Sequence, residues 1–257
     1  FCSGPLVSGK KIRKRSLDLI MADIDYQVAK FGIKEFHIRD DEFTICKEDI
    51  MNFCEALLKK KYKLTWNPVN GVRLDSLDEE MLKLMNRAGC YAMHVGIEAG
   101  NQKVLNNIKK ELTKKEIKEK IELIAKYNID VVGLFIIGIP GETKEEIEET
   151  IKFAKELNMV RAQFGIFLPI PGTALFNELV DAKKLKINEI NWEDYDAYRH
   201  IVYHSELISD SQLKNLQRKA FLGFYLRPHI LYKFLKGINS YEHFKNLFIR
   251  TINFLRK

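Results

Sequence analysis

Five hydrophobic, strand-like segments each run into a polar or glycine-rich corner. The corners recur at intervals of roughly 30–40 residues, the spacing of a strand plus its return helix. They are Arg39-Asp40-Asp41-Glu42-Phe43, Asn67-Pro68 with Arg73 just beyond, Gly96-Ile97-Glu98-Ala99-Gly100, Gly138-Ile139-Pro140-Gly141-Glu142-Thr143, and Leu168-Pro169-Ile170-Pro171-Gly172-Thr173. In a parallel barrel every such corner falls on one face, the face where chemistry is done. The run of corners therefore outlines a single active site.

The segments between the corners carry helix signals. Ser16 caps a helix that Gly32 stops, and Lys47–Lys60 is amphipathic. Asp78–Ala88 reads as a helix closed by Gly89, and Asn101–Asn107 as a short one. Thr113 with Glu116, and Thr143 with Glu146, have capping-box spacing at the starts of two longer helices. The expected strands are Lys34–Arg39, Lys63–Val69, Tyr91–Ile97, Asp130–Ile139 and Ala162–Leu168. The fourth is apolar almost throughout, which suits a parallel strand covered on both faces. Beyond Pro169 the alternation ends: Ala174–Val180 is helical, Asn188–His204 irregular and aromatic, and Ser209–Tyr225 helical until Arg227-Pro228 breaks it.

Composition narrows the setting. The longest apolar run, Val131 to Ile139, is too short to span a bilayer. Cys2, Cys46, Cys54 and Cys90 are scattered, which favours a reducing cytoplasm over a disulfide framework. No signal-peptide pattern opens the sequence, and its start at Phe1 rather than methionine reads as a chain cut from something longer. The net charge of +7 is uneven: from Gln212 to Lys257 ten lysines and arginines face Glu242 alone, a net +9. There is no Gly-x-x-x-x-Gly-Lys-Ser/Thr loop and no Gly-x-Ser-x-Gly elbow. His200 and His204 are four apart, but no glutamate follows with zinc-protease spacing.

This order of corners resembles the radical S-adenosylmethionine (SAM) superfamily. Within it, the chain looks most like the branch associated with cobalamin-binding domains and related to the tRNA methylthiotransferases. The likeness covers residues 1–173. It implies an α/β fold, a partial (β/α) barrel lacking the first strand and most of the cluster loop, followed by a helical, aromatic and basic extension over residues 174–257. The family loop is Cys-x-x-x-Cys-x-x-Cys; Phe1-Cys2 matches its end, and the other two cysteines are expected upstream. Cys2 would then be one of three thiolate ligands of a [4Fe-4S] cluster whose open iron chelates SAM, and one thiolate by itself would not hold it.

The resemblance also assigns the corners. Asp41 and Glu42 match an acidic motif that meets the methionyl ammonium, and Glu98 a polar position that holds the ribose or amino end of SAM. Lys110 matches a basic position that answers the methionyl carboxylate. Gly138 and Pro140 would pack beside the adenine, Gly138 and Gly141 letting the backbone come close. Phe167, Leu168 and Pro169 match the segment whose backbone reads the adenine edge. Arg73 either reaches the substrate side or is a surface arginine.

The implied chemistry is reductive cleavage of SAM, driving radical chemistry or methyl transfer on an unknown substrate. Electrons would come from a donor such as flavodoxin or ferredoxin, and cobalamin, where used, would sit on a missing upstream domain. A tRNA-modifying or RNA-binding protein and a cluster-free barrel lyase are the alternatives. The tail interleaves cations with Phe221, Phe224, Tyr225, Tyr232, Phe234, Tyr241, Phe244, Phe248 and Phe254. It would bind RNA through phosphates and stacking, dock on an anionic membrane, or cap the barrel, and aromatics at helical spacing favour the cap.

Overall fold

The computed structural model describes residues 3–9, 11–236 and 245. Cys2 and the tail residues Tyr241, Phe244, Phe248 and Phe254 therefore lie outside the described residues.

The alternation of strand and helix appears as expected, preceded by a short helix α1 (Gly4–Ser8) that the sequence did not announce. Helix α2 (Leu17–Phe31) starts at Ser16, whose side chain accepts from Leu19 N–H, and stops at Gly32 with φ 61. Then follow β1 (Glu35–Ile38), α3 (Lys47–Lys60), β2 (Thr65–Pro68), α4 (Glu79–Arg87) and β3 (Ala92–Glu98). Next come α5 (Gln102–Asn107), α6 (Lys114–Lys126), β4 (Asp130–Ile137), α7 (Lys144–Glu156) and β5 (Arg161–Ile166). Both expected capping boxes are formed, at Thr113–Glu116 and Thr143–Glu146.

Every paired strand runs parallel to its neighbour. β1 pairs with β2 from Glu35–Thr65 to Ile38–Pro68, and β4 lies between β3 and β5. Parallel bridges at Trp66–Cys90 and Val72–Val95 join the two groups, so the strands follow one another in chain order. Among the described residues this is an open arc of five strands, the partial barrel that the family resemblance implied. The helices between strands cover its outer face. Trp66 is fully buried there, 5.6 Å from the Phe53 ring of α3 and donating to the carbonyl of Ala88.

After β5 come α8 (Ala174–Asp181), two short 3-10 turns at Ile187–Glu189 and Trp192–Asp194, α9 (Asp210–Tyr225) and α10 (Pro228–Lys236). The irregular stretch covers the free edge of β5: the N–H of Ile166 donates to Ala197 at 2.6 Å, and Tyr198 O–H donates to Gln163 at 2.8 Å. Covering that edge removes a row of unpaired backbone groups. Helix α9 packs against β5 and α7. Gln217 donates to the Phe164 carbonyl, Phe224 is fully buried, and the Tyr225 hydroxyl donates to Ala162 O at 2.9 Å. Phe224 and Tyr225 act as a cap, whereas Tyr232 is 65% exposed, and the side chain of Phe234 lies outside those described.

Candidate functional site

Because the strands are parallel, all five corners lie on one rim. At the end of β3 the register slips between Gly96 and Glu98, and Glu98 sits at φ 68. A side chain other than glycine holds that left-handed conformation at a cost of order 1 kcal/mol, so the surroundings enforce it. Its carboxylate folds back over Gly96, where a Cβ would lie 2.5 Å from Oε1, so a side chain at residue 96 would push the carboxylate from this position. Lys110, delivered by the turn after α5, donates to the same oxygen at 3.3 Å. Both are largely enclosed, with side-chain exposures of 12% and 24%. Burial pushes the Glu98 carboxyl above its ordinary range, against the pull of Lys110.

The next corner is closed by a residue that the sequence reading quoted but assigned no role. Glu142 Oε2 accepts from the N–H groups of both Gly138 (2.7 Å) and Ile139 (3.0 Å), while Glu142 N–H donates to Ile139 O. Glu142 is 2% exposed, and its Oε1 has no hydrogen-bond partner. Burial pushes its pKa to about 7, against the two backbone donors. Pro140 is half-buried in the middle of this turn.

Gly138 departs from the expectation of open approach. It has φ 76, and a Cβ there would lie 2.7 Å from Leu213 of α9, so the space is filled by the chain itself. Gly141, at φ 81, has open space instead. At the end of β5, Phe167 N–H donates to Ile137 O, and its buried ring meets Tyr203 edge to face at 5.9 Å. Phe167 therefore offers backbone rather than ring to the rim. Pro169 is buried and Leu168 half-buried.

Asp41 and Glu42 are exposed on the turn after β1, with Glu42 at φ 55. Arg73 is held by Asp75 through two contacts, Nε–Oδ1 at 3.1 Å and Nη2–Oδ2 at 2.6 Å, and also feels the charges of Glu42 and Glu111. The structure thus brings Glu98 and Lys110 into contact, sets Arg73 in the field of Glu42, and places the Gly138 and Phe167 corners on adjacent strands.

A polar group on the inner face went unnoticed in the sequence. Glu35 and His37 face Thr65 and Asn67 in register, while Phe36 and Trp66 between them pack together at 6.3 Å. Asn67 Nδ2 donates to Tyr91 O–H, which donates to Glu35, and His37 Nε2 lies 3.0 Å from the same carboxylate. Its signal was present as polar residues alternating with apolar ones in Lys34–Arg39 and Lys63–Val69.

The described cysteines are not gathered as metal ligands. Cys54 and Cys90 are fully buried, and desolvation pushes the Cys54 thiol up to about 12 and Cys90 higher still. Among the described residues no group of three His, Cys, Asp or Glu side chains is placed to hold a metal ion. His200 and His204 each face their own aspartate, Asp194 at 3.2 Å and Asp210 at 2.9 Å.

Residues 1–154 match the family described as the Radical SAM superfamily. An uncharacterised methyltransferase of Pyrococcus horikoshii is 32% identical over 252 residues, covering 98% of this chain and 53% of that protein. Bacteriochlorophyllide d C-12(1)-methyltransferase of Chlorobaculum tepidum is 25% identical, with 98% and 55% covered. The chain spans about half the length of these curated relatives. The solved structure of OxsB, a cobalamin-dependent SAM radical enzyme, superposes with a TM-score of 0.64 at 14% identity, covering 95% of this chain and 42% of that one.

Proposed function

The chain belongs to the radical SAM superfamily, whose members use SAM and a [4Fe-4S] cluster, and we propose that its rim binds SAM for methyl transfer or related radical chemistry on a substrate still to be identified. The observation that carries this is the enclosed Glu98–Lys110 pair beside Gly96. SAM presents an ammonium, a carboxylate and ribose hydroxyls, and an acid and a base held together on one rim can answer such a mixed set. At the neighbouring corners the N–H groups of Gly138, Ile139 and Phe167 are already taken by Glu142 and Ile137, and the open backbone is that of Gly141, which has free space beside it. When bound, the cluster and SAM would supply one-electron cleavage and a transferable methyl group.

The roles of this chain's residues follow from their chemistry. Glu98 accepts hydrogen bonds from the ribose hydroxyls or the ammonium. Lys110 turns from Glu98 to the methionyl carboxylate, a short move for a flexible ammonium. Asp41 and Glu42, on a solvated turn, add negative charge on the ammonium side. Glu142 holds the Gly138–Ile139 backbone so that the turn keeps its shape, and Leu168 with Pro140 supplies apolar surface for the adenine. The described residues contain no set that holds the cluster, and Cys2 is the one ligand this chain would contribute. None of the described residues is assigned to cobalamin.

Equilibrium binding of SAM to the chain and to its Glu98→Ala and Lys110→Ala variants tests this reading. Both variants should bind more weakly while remaining cooperatively folded, Lys110→Ala melting lower because it leaves the enclosed Glu98 carboxylate without its partner. Unchanged affinity in both would move the pocket elsewhere.

A further inference from the structure

The polar group on the inner face is larger than its β1 and β2 members. In the parallel register His94 of β3 and Arg161 of β5 stand on either side of Val132 of β4. Their neighbours along the strands, Met93, Val95 and Ala162, are fully buried in the core, so His94 and Arg161 belong to the opposite, inner side. The charge of Arg161 is felt by both His94 and Tyr91, which ties the two parts of the group together. His94 is half-buried, and neither its ring nor the Arg161 guanidinium forms a hydrogen bond or ion pair among the described residues.

The sign of what this face can take follows from which groups are already engaged. The Glu35 carboxylate has the Tyr91 hydroxyl and the His37 ring as partners, whereas Arg161 is left open. Burial, and then the charges of Arg161 and His37, push the His94 pKa below its ordinary value, so the ring is neutral near pH 7 and offers one N–H. A guanidinium and an N–H turned to one space suit a carboxylate. Toward the rim the same side of β4 becomes apolar through Leu134 and Ile136, both half-buried. The strand rises about 13 Å from His94 to Glu98, at roughly 3.3 Å per residue.

We propose that the inner face at Arg161 and His94 binds a carboxylate carried on an apolar body, which extends along Leu134 and Ile136 toward the rim. Resting on the reading of the rim as the SAM site, that molecule is the substrate, and its carboxylate lies about 13 Å below the Glu98–Lys110 pair. Acetate would use the cation alone, and an uncharged chain the apolar strip alone. A molecule with both parts uses the whole face.

NMR of the 257-residue chain, observing the His94 ring and the methyls of Val132 and Leu134 during titration with octanoate, acetate and 1-octanol, tests the proposal. Octanoate should shift all three residues. It should bind at least about tenfold more tightly than acetate, which lacks the body, and than 1-octanol, which lacks the charge. Arg161→Gln should weaken octanoate by about tenfold or more and erase its advantage over 1-octanol, with SAM affinity unchanged. Octanoate that leaves these three residues unshifted overturns the proposal. So does equal octanoate binding by Arg161→Gln, which would place the carboxylate elsewhere. Octanoate binding by a chain that does not bind SAM upholds the carboxylate site and removes only the rim reading, whereas SAM binding without octanoate binding does the reverse.

Discussion

Glu98 and Lys110 form an ion pair at 3.3 Å across the end of β3, and among the described residues it is the ion pair whose two partners are together the most enclosed. An enclosed ion pair is a weak source of stability, because desolvating both charges offsets their attraction. Its place on the rim, with Glu98 in a left-handed conformation, suits binding better than folding. Replacing Glu98 by alanine should reduce SAM affinity by roughly ten- to a hundredfold, the about 1.5–3 kcal/mol of a hydrogen bond to a charged group. Glu98→Gly should lose the same affinity while keeping or gaining up to about 1 kcal/mol of folding stability, since φ 68 no longer carries strain. Calorimetric titration and thermal unfolding of the same samples separate the two effects.

Glu142 gives a pH dependence whose sign is fixed. Its folded pKa of about 7 lies above the ordinary 4.5, so the folded chain keeps a proton that the unfolded chain gives up between those values. Its contribution to stability is full below about pH 4.5 and is lost as the pH rises through 7, by at most about 3 kcal/mol. Glu142→Gln keeps an acceptor for the Gly138 and Ile139 N–H groups without the titration. The variant should therefore melt higher than the parent chain at pH 8 and close to it at pH 5. Equal differences at both pH values would show that Glu142 is not protonated in the fold.

Gly138→Val should act on the fold before it acts on any ligand. The added Cβ meets Leu213 at 2.7 Å at a residue with φ 76, and the two faults together should cost about 2 kcal/mol or more. Gly141→Ala, with open space and φ 81, should cost only the smaller backbone strain. Thermal denaturation of the two variants decides this by their order.

The capping role of α9 is tested by Phe224→Ala. The side chain is fully buried against the sheet, and its removal should cost about 3–5 kcal/mol. A thiol reagent should leave Cys54 and Cys90 unmodified in the native chain and reach them only on unfolding, since burial keeps both protonated. Fast native labelling of either would reopen the described cysteines as metal ligands.

The local punctuation of the chain was legible. Ser16, Thr113 and Thr143 set helix starts through hydrogen bonds a few residues long, and Gly32 set a stop through one dihedral angle. The corners were legible because strand period and helix length repeat. What stayed hidden depends on groups far apart in sequence. Gly138 is filled by Leu213, Glu142 is buried by the packing around its turn, and the Asn67–Tyr91–Glu35 chain forms only when β1, β2 and β3 come side by side. The contact of Lys110 with Glu98 depends on a register slip in β3 that no residue pattern announces.

Methyl-resolved NMR of the isoleucine-, leucine- and valine-labelled chain, titrated with SAM, tests most directly whether the corner rim is the adenosyl site. The expected shifts fall on Ile136, Ile139 and Leu168 at the rim, and not on Leu57, Leu58 and Leu64, which line a cavity of about 280 Å³ with Lys61 and Arg87 away from the rim. Shifts confined to that cavity, or the same rim shifts in Glu98→Ala at unchanged affinity, would contradict the assignment of the rim and its ion pair to SAM.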